Sequence, residues 1–429
     1  LEQALDEGWT RDRCLEEARH IPGVYIPSFF TPDAEGRLQP RFADHARPAR
    51  RIVADFDKVA YPTSQVVPIG AVHNRLSLEI ARGCTRGCRF CHAGMVYRPV
   101  RERSLDTITG LLDDCLKKTG FDEISFLSLS TGDFSALKTL SHGVLGRCAQ
   151  EQISLSLPSL RVGSIDDDIM RRLAGIRRTG ATLAPEAGSQ RLRDAINKNV
   201  TQEDLLHTCA IAFAGGWNSV KLYYMLGLPT ETDEDIIGIA QMADEVLHCW
   251  RMNAKYKNRG VKITISTSCF IPKPHSPFQW EAQISIEEYL RRVNLLRSSI
   301  TARNVSYNWH DAETSLIEAV LSRADRRVAD AIEEVWRQGG RLDSWSDYFS
   351  FQRWMDAFEK CGVDTEFYAN RERSVDEVLP WDVIDVGVRK AHLVRERERC
   401  YASELSPDCR HQCSGCGALK LMNGGRCDG

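Results

Sequence analysis

Short apolar runs alternate with longer helical patterns along the middle of the chain. The runs are rich in β-branched and aromatic residues and end at polar or glycine-containing turns, which is typical of buried strands. They cover residues 76–80, 123–129, 154–160, 182–184, 219–225 and 262–270. Because helical patterns separate these runs, the sequence predicts an α/β fold: a partial, TIM-like (β/α)6 barrel with its chemistry at the carboxyl ends of parallel strands.

The regions on either side of this barrel have different patterns. The predicted units are an N-terminal extension or linker at 1–70, the barrel at 71–285, a helical region at 286–399 and a cysteine-rich segment at 400–429. In the helical region, apolar periodicity predicts helices at 286–303, 316–338 and 343–360. The chain opens inside an amphipathic pattern without a starting methionine, so we expect a piece of a longer protein.

The overall composition is that of an ordinary globular protein. Hydrophobic residues make up 42% and charged residues 27%, and no apolar run approaches the roughly 18 residues that span a bilayer. The formal net charge is only -3, which argues against nucleic-acid binding through bulk positive charge but leaves a local basic patch open. No signal-peptide pattern is seen at the start of the sequence, so we expect a cytoplasmic protein with reduced thiols and no membrane partner.

Cysteine is the residue type that sets this sequence apart. Fifteen cysteines are many for 429 residues, and reduced thiols in such number indicate metal binding or catalysis rather than disulfides. Two triplets share the spacing C-x3-C-x2-C, one just after the first predicted strand and one near the C-terminus, with further cysteines flanking the second. The candidate metal ligands are Cys84, Cys88 and Cys91 in the first triplet, Cys409, Cys413 and Cys416 in the second, and the flanking Cys400 and Cys427.

The spacing of both triplets favours an iron–sulfur cluster. Zinc prefers two C-x2-4-C pairs, or cysteines with histidines, that close a tetrahedron. Iron–sulfur clusters instead take three or four thiolates from one compact loop. The first triplet has no fourth protein ligand nearby, so a cubane there would keep one iron open. The second site has up to five candidate thiolates and leaves a structural zinc knuckle as an alternative.

The segment from Cys84 to Cys91 resembles the signature of the radical S-adenosylmethionine (SAM) superfamily, C-x3-C-x-aromatic-C, with Phe90 as the aromatic residue. The resemblance implies that Cys84, Cys88 and Cys91 hold a catalytic 4Fe–4S cluster, whose open iron chelates SAM, and that Phe90 packs near the adenine. One electron, delivered by a reductant such as flavodoxin or ferredoxin, would then cleave SAM to methionine and a 5′-deoxyadenosyl radical that abstracts hydrogen from a substrate.

Further positions match those through which the superfamily holds SAM, at the ends of the second, fourth, fifth and sixth strands. The implied cofactor-binding candidates are Thr131, Gly132, Asp133, Glu186, Arg191, Arg193, Gly227 and Phe270. The first three stand where the superfamily has a Gly-Gly-Glu stretch for the SAM amino group, and they depart from it. Gly227 opens a Gly-x-Pro-x-Glu-Thr turn of the kind found in methylthiotransferases.

Over residues 70–429 the chain resembles a bacterial branch of the superfamily related to cobalamin-domain-linked radical SAM proteins and methylthiotransferases. That branch ends in an Asp-Cys-Arg-x-x-Cys segment, as residues 408–413 do, which implies an auxiliary iron–sulfur cluster at the second triplet with Cys400 or Cys427. The chain lacks an Asp-x-His-x-x-Gly motif, so we do not expect this segment to ligate cobalamin through a histidine.

The resemblance therefore implies a radical SAM enzyme whose substrate the sequence does not identify, with RNA or protein modification as hypotheses. Two alternatives stay open: a non-catalytic zinc- and RNA-binding module with structural cysteines, and a scaffold that binds SAM without turning it over. His310, Asp311 and Glu313 follow an aromatic run at the expected mouth of the barrel. We list them as candidates for substrate contact, beside the alternative of a buried, hydrogen-bonded histidine.

Overall fold

The computed structural model describes residues 2–34, 37–45, 47–66, 74–156, 161–163, 167–176 and 180–422. The N-terminal region begins with helices α1 (Glu2–Asp6) and α2 (Arg11–Ala18), followed by an antiparallel pair of strands, β1 (Phe30–Pro32) and β2 (Leu38–Pro40). Among the described residues, no helix is both long and apolar enough to cross a membrane.

Seven parallel strands form the centre of the molecule. Strand β3 (Leu76–Glu79) leads into a short antiparallel pair, β4 (Ala81–Arg82) and β5 (Arg101–Glu102). The remaining parallel strands are β6 (Glu123–Leu127), β7 (Ser154–Ser156), β8 (Ala181–Glu186), β9 (Ser219–Leu226), β10 (Lys262–Cys269) and β11 (Val305–Trp309). Strands β3, β6 and β7 pair in that order, and β8 to β11 pair in sequence order. The predicted partial barrel is thus confirmed, apart from residues 157–160, which lie outside the described residues.

The seventh strand, β11, is one that the sequence pattern did not predict. It pairs in parallel with β10, with Ile265 opposite Tyr307. On the outer face of this pair, the Thr267 and Tyr307 hydroxyls are 2.8 Å apart. Three of its five residues are half-buried and the last two are exposed, so the strand lacks the strong apolar signal of the other six.

Helices cover the outside of the strands and build the C-terminal region. They are α3 (His92–Val96), α4 (Leu105–Thr119), α5 (Leu137–Glu151), α6 (Asp167–Ile176), α7 (Gln190–Ala195), α8 (Gln202–Ala214), α9 (Asp233–Asn253), α10 (Ile286–Ser299), α11 (Ala312–Arg323), α12 (Val328–Arg337), α13 (Phe351–Cys361) and α14 (Lys390–Tyr401). Local signals explain several boundaries. The Ser104 side chain caps the start of α4, and Gly120 ends it in the left-handed conformation. Thr201 and Asp204 form a capping box at the start of α8.

The helical region differs from the predicted pattern in two places. The predicted helix at 316–338 is two helices, because Asp325 interrupts it and its carboxylate accepts the Arg327 N–H (3.0 Å) and the Tyr368 hydroxyl (2.9 Å). The predicted helix at 343–360 starts at Phe351, where the Ser350 side chain accepts the Arg353 N–H (3.4 Å). Asp and Ser side chains compete with the helix for backbone hydrogen bonds, which explains both differences.

Two apolar cores lie between the strands and the surrounding helices. Leu76, Leu78 and Phe126 on one group of strands are fully buried against α4 and α5. Val220 and Leu222 on the other group are fully buried against α8 and α9. Each such side chain contributes about 1.5–3 kcal/mol on burial, so these cores fix the strands and thereby the loops at their carboxyl ends.

Candidate active site

The first cysteine triplet lies in the loop between β4 and α3, which we call the cysteine loop (residues 84–91). The antiparallel pair β4–β5 closes the base of this loop, and all three cysteines are half-buried. Cys91 caps α3, and its Sγ accepts the Gly94 N–H at 3.2 Å. Backbone N–H groups that donate to sulfur favour the thiolate form, which is the form that binds iron.

The thiols of the cysteine loop lie close enough to influence one another. Burial, followed by the nearby Cys88 thiol, raises the pKa of Cys84 to about 12. The same two causes raise the pKa of Cys91, against the opposing effect of the Lys198 ammonium. Iron binds cysteine in its thiolate form, and three thiols in one compact loop are a donor set that fits a cluster held by three thiolates.

Cations surround the cysteine loop. Lys198 faces Cys91, and the Arg161 guanidinium lies near the Cys88 and Cys84 thiols. Arg98 is almost fully buried, and it donates to the carbonyls of Gly94 (2.9 Å) and Arg86 (3.2 Å). Because three thiolates bring negative charge to a cluster, these cations provide the compensation that a half-buried site needs. In the described part of the chain, no three His, Cys, Asp or Glu side chains converge as ligands of a single metal ion.

An apolar wall and an ion pair flank the cysteine loop on the side of β8. Phe90 packs on the buried cluster that contains Phe270 and Leu228. Lys198 Nζ lies 3.1 Å from Glu186 Oε1 and 5.8 Å from the centre of the Phe90 ring. The structure thus brings the predicted residues Phe90, Glu186 and Phe270 to one side of the loop. Lys198 was missed because it follows a helix in an ordinary polar turn, and only the fold places it here.

The turn after β9 is held in a conformation that requires glycine. Gly227 has φ +92°, and a Cβ there would lie 2.9 Å from Ile284 Cδ1. Its N–H donates to Glu231 Oε2 at 2.7 Å, and Glu231 in turn pairs with Arg292. Arg191 donates to the Thr230 carbonyl at 2.8 Å, which ties this turn to the first turn of α7.

Arg193, the other predicted arginine, has a structural role. Its guanidinium is 1% exposed and donates to the carbonyls of Ala187 (3.1 Å), Gly188 (2.9 Å) and Val200 (3.0 Å). Through these hydrogen bonds Arg193 holds the loop between β8 and α7 in place. Arg191 is the more accessible of the two arginines: its side chain reaches solvent, although it pairs with Asp235 and donates to Thr230.

Thr131, Gly132 and Asp133 form a single turn at the end of β6 that binds the cysteine loop. The Asp133 carboxylate accepts from Arg86 Nε (3.1 Å) and from the Ser130 hydroxyl (2.6 Å). Burial alone would raise the pKa of Asp133, but the Arg86 guanidinium outweighs it and the net pKa is lowered. Asp133 is thus ion-paired with Arg86, and through this pair the turn positions the cysteine loop.

The second cysteine triplet packs directly against the first. We call residues 408–416 the C-terminal cysteine segment. The Cys409 N–H donates to the Thr85 carbonyl at 3.0 Å, and the Thr85 hydroxyl donates to Asp408 Oδ2 at 2.9 Å. Arg86 Nε lies 3.1 Å from the same Asp408 oxygen, so Arg86 bridges Asp133 and Asp408. The fold therefore joins two motifs that are more than 300 residues apart.

Three of the predicted auxiliary ligands are neighbours. Burial raises the pKa of Cys409, and the thiols of Cys416 and Cys413 add to this effect. Burial would lower the pKa of Arg98, but the thiols of Cys409, Cys416 and Cys84 outweigh it and raise that pKa. Arg98 therefore lies beside both triplets.

The flanking cysteines stand apart from this group. Cys400 is fully buried in the apolar cluster beside Phe90, and its nearest charged groups are Arg89, Glu281 and Arg191. The structure thus favours Cys400 as a packed hydrophobic residue. Cys427 lies outside the described residues.

Arg89, inside the cysteine loop, anchors the C-terminal region. It is fully buried, and its Nη2 lies 3.3 Å from Glu396 Oε2 on α14. It also donates to the Glu404 carbonyl at 2.8 Å, the Ser406 hydroxyl at 3.1 Å and the Ala195 carbonyl at 2.7 Å. One side chain thus ties the cysteine loop to α7, to α14 and to the chain leading to Cys409.

The residues predicted at the barrel mouth are mainly structural. Asp311 caps α11 and accepts the Thr314 N–H at 2.7 Å. His310 is exposed, and its Nδ1 lies 3.0 Å from the Ser315 hydroxyl, so it is hydrogen-bonded without being buried. Glu313 lies in the first turn of α11 and is exposed.

Comparison with known proteins agrees with this geometry. Residues 78–243 match the model of the radical SAM superfamily, which confirms the resemblance seen in the cysteine motif. This part of the chain is therefore a radical SAM domain, and such a domain implies a 4Fe–4S cluster and SAM. An uncharacterized protein of Methanocaldococcus jannaschii is 27% identical over 347 residues, which are 80% of this chain and 70% of that protein.

Solved structures that are similar to the chain include two radical SAM enzymes. The radical SAM methyltransferase TsrM of Kitasatospora setae, with cobalamin and a 4Fe–4S cluster bound, aligns at a TM-score of 0.38 and 15% identity over 48% of this chain. The cobalamin-dependent SAM radical enzyme OxsB, with aqua-cobalamin bound, aligns at 0.40 and 11% identity over 96% of this chain. The chain spans 38% of the length of TsrM and 65% of that of OxsB.

Proposed function

We propose that this protein cleaves SAM reductively and uses the product radical to take a hydrogen atom from a substrate held in the barrel. The observation that carries this proposal is the cysteine loop, with three half-buried thiols at the carboxyl end of the first barrel strand and a surround of cations. When bound, a 4Fe–4S cluster and SAM supply one-electron cleavage of SAM to methionine and a 5′-deoxyadenosyl radical.

The chain's own residues would orient SAM and exclude water around it. Phe90 and Phe270 offer an apolar surface to the adenine, beside the glycine turn that begins at Gly227. Lys198 and Glu186 offer one charge of each sign within 3.1 Å of each other, which suits the carboxylate and amino groups of an amino acid. A ligand that binds both charges would replace this ion pair without leaving either group unpaired.

We further propose that Cys409, Cys413 and Cys416 hold an auxiliary iron–sulfur cluster. Support comes from the mutual proximity of these thiols and from the hydrogen bonds that join their segment to the cysteine loop at Thr85. The Cys413 side chain is exposed, so this site would be the more accessible of the two to a protein reductant such as flavodoxin or ferredoxin. Arg98, which faces thiols of both triplets, would stabilise negative charge at either site.

Replacing Cys413 by alanine is expected to halve the iron content. Reconstituted wild-type protein should bind about eight irons per chain and the Cys413→Ala variant about four, because each cubane holds four. Iron and sulfide analysis under anaerobic conditions makes the measurement. Cys14→Ala removes a half-buried cysteine outside both triplets and should retain the wild-type count. Zinc at the C-terminal cysteine segment, or equal iron in wild type and Cys413→Ala, would contradict an auxiliary cluster.

A further inference from the structure

The inner face of strands β8 to β11 is polar. In β9, Val220, Leu222 and Tyr224 are buried against the helices, whereas Lys221 and Tyr223 alternate with them on the face turned to the barrel interior. Tyr223 is 37% exposed although it lies in the middle of a central strand. The interior is therefore open at this level and is lined by groups that can bind a ligand.

The strand register gathers these side chains into rows across the sheet. Lys221 lies opposite Thr182 on β8 and Thr264 on β10. One level closer to the carboxyl ends, Tyr223 lies opposite Ser266, and Ser266 lies opposite Asn308 on β11. Neighbours within a row are about 4.8 Å apart, so a single small group can contact several of them at once.

Most of these groups have no partner in the protein. In the part of the chain that the structure describes, the side chains of Lys221, Tyr223, Ser266, Ser268 and Asn308 make no hydrogen bond or ion pair, and Lys221 Nζ only approaches the Tyr223 ring, at 4.6 Å from its centre. Lys221 and Ser266 are half-buried, and Tyr223, Ser268 and Asn308 are exposed, so a ligand in the barrel can reach all five groups. A set of polar groups that face one space without partners in the protein is suited to bind such a ligand.

The charge of that ligand follows from the neighbouring ion pairs. Glu186, at the end of β8, is paired with Lys198, and Glu123, at the start of β6, is paired with Arg75. Lys221 has no such counter-charge among the described residues, and the hydroxyl and amide donors of Tyr223, Ser266 and Asn308 lie one level above it. An ammonium group with several neutral donors is a binding site for an oxyanion, and lysine acts there as a point charge.

We infer that the barrel interior binds a substrate through a carboxylate or phosphate group, with Lys221 as the counter-charge and Tyr223, Ser266 and Asn308 as donors. The three residues from Tyr223 to the end of β9 at Leu226 span about 10 Å. The oxyanion would therefore lie about 10 Å below the carboxyl end of β9. This inference rests on the proposed function for the reaction, but the binding site can be tested without any turnover.

The test is calorimetric titration of anaerobically reconstituted protein with inorganic phosphate and, separately, with succinate, without SAM or reductant and at constant ionic strength. Wild type should bind at least one of the two anions, and the two titrations distinguish phosphate from carboxylate. Lys221→Gln should weaken binding at least tenfold, Tyr223→Phe about threefold, and Lys221→Arg should restore most of the affinity. The matched control is Lys117→Gln, an exposed lysine in the last turn of α4, which should bind as wild type does.

The inference is overturned if wild type binds neither anion, if Lys221→Gln binds as wild type does, or if Lys117→Gln weakens binding equally. Formation of 5′-deoxyadenosine by wild-type protein is measured in separate reactions. If wild type makes none while anion binding depends on Lys221, the proposed reaction fails and the binding site stands. If wild type makes it while Lys221 has no effect on anion binding, the site fails and the reaction stands.

Discussion

Replacing Gly83 by alanine is expected to lower the free energy of unfolding by about 3 kcal/mol and to abolish cluster assembly. Gly83 precedes Cys84 and has φ +89°, a conformation that L-residues rarely adopt. A Cβ at this position would lie 2.7 Å from the Tyr97 carbonyl oxygen, 2.8 Å from that of Pro99 and 3.0 Å from Val100 Cα. All three are backbone atoms that lead into β5, so relief of the clash must move the base of the cysteine loop.

Urea unfolding and iron analysis of the reconstituted variant make this measurement. The matched control is Gly110→Ala in the middle of α4, where a Cβ meets nothing within 4 Å. That change should stabilise the protein by up to about 1 kcal/mol, because alanine is the better helix former. A Gly83→Ala protein with wild-type stability and a full complement of iron would show that the loop does not depend on this close approach.

Replacing Arg89 by leucine is expected to cost about 3–5 kcal/mol of folding free energy. The arginine is fully buried, and its removal leaves the Glu396 carboxylate, 2% exposed, with only the more distant Arg399, at 3.4 Å, as a counter-charge. It also frees the carbonyls of Ala195 and Glu404, which link the cysteine loop to α7 and to the C-terminal region. We therefore expect the C-terminal region to separate from the barrel before the barrel itself unfolds.

Chemical denaturation, combined with limited proteolysis after α14, measures both effects. The double variant Arg89→Leu/Glu396→Leu should recover part of the loss, because neither charge is then buried alone. Arg337→Leu is the control, since it breaks the exposed Arg337–Glu333 pair and should cost less than about 1 kcal/mol. If Arg89→Leu costs no more than Arg337→Leu, the buried arginine does not anchor this interface.

Local patterns in the sequence predicted the parts of the site that are contiguous in the chain. The cysteine loop lies within eight residues, so its spacing was enough to predict three cysteine ligands and the aromatic residue between them. The six predicted strands were found because each carries its own apolar signal. Strand β11 was not, since its side chains are only partly buried.

The rest of the site depends on contacts between distant residues, which a pattern cannot show. Lys198, Arg98 and Arg89 acquire their roles only when the fold places them beside the cysteines. The structure also separated candidates that the sequence left equivalent, such as Arg191, whose side chain reaches solvent, and Arg193, which is buried. For Cys400 the sequence does contain a signal that predicts a buried, apolar position rather than a metal ligand. Cys400 follows buried Leu393 by seven residues, a spacing that places both on one face of α14.

The central claim is that the cysteine loop supports reductive cleavage of SAM. The most direct test is anaerobic reconstitution with iron and sulfide, followed by addition of dithionite and SAM and quantification of 5′-deoxyadenosine. We predict that wild type and the control Cys361→Ala, a half-buried cysteine outside both triplets, form 5′-deoxyadenosine and that Cys88→Ala forms none above background. Equal product from Cys88→Ala, or no product from iron-replete wild type, would contradict the account.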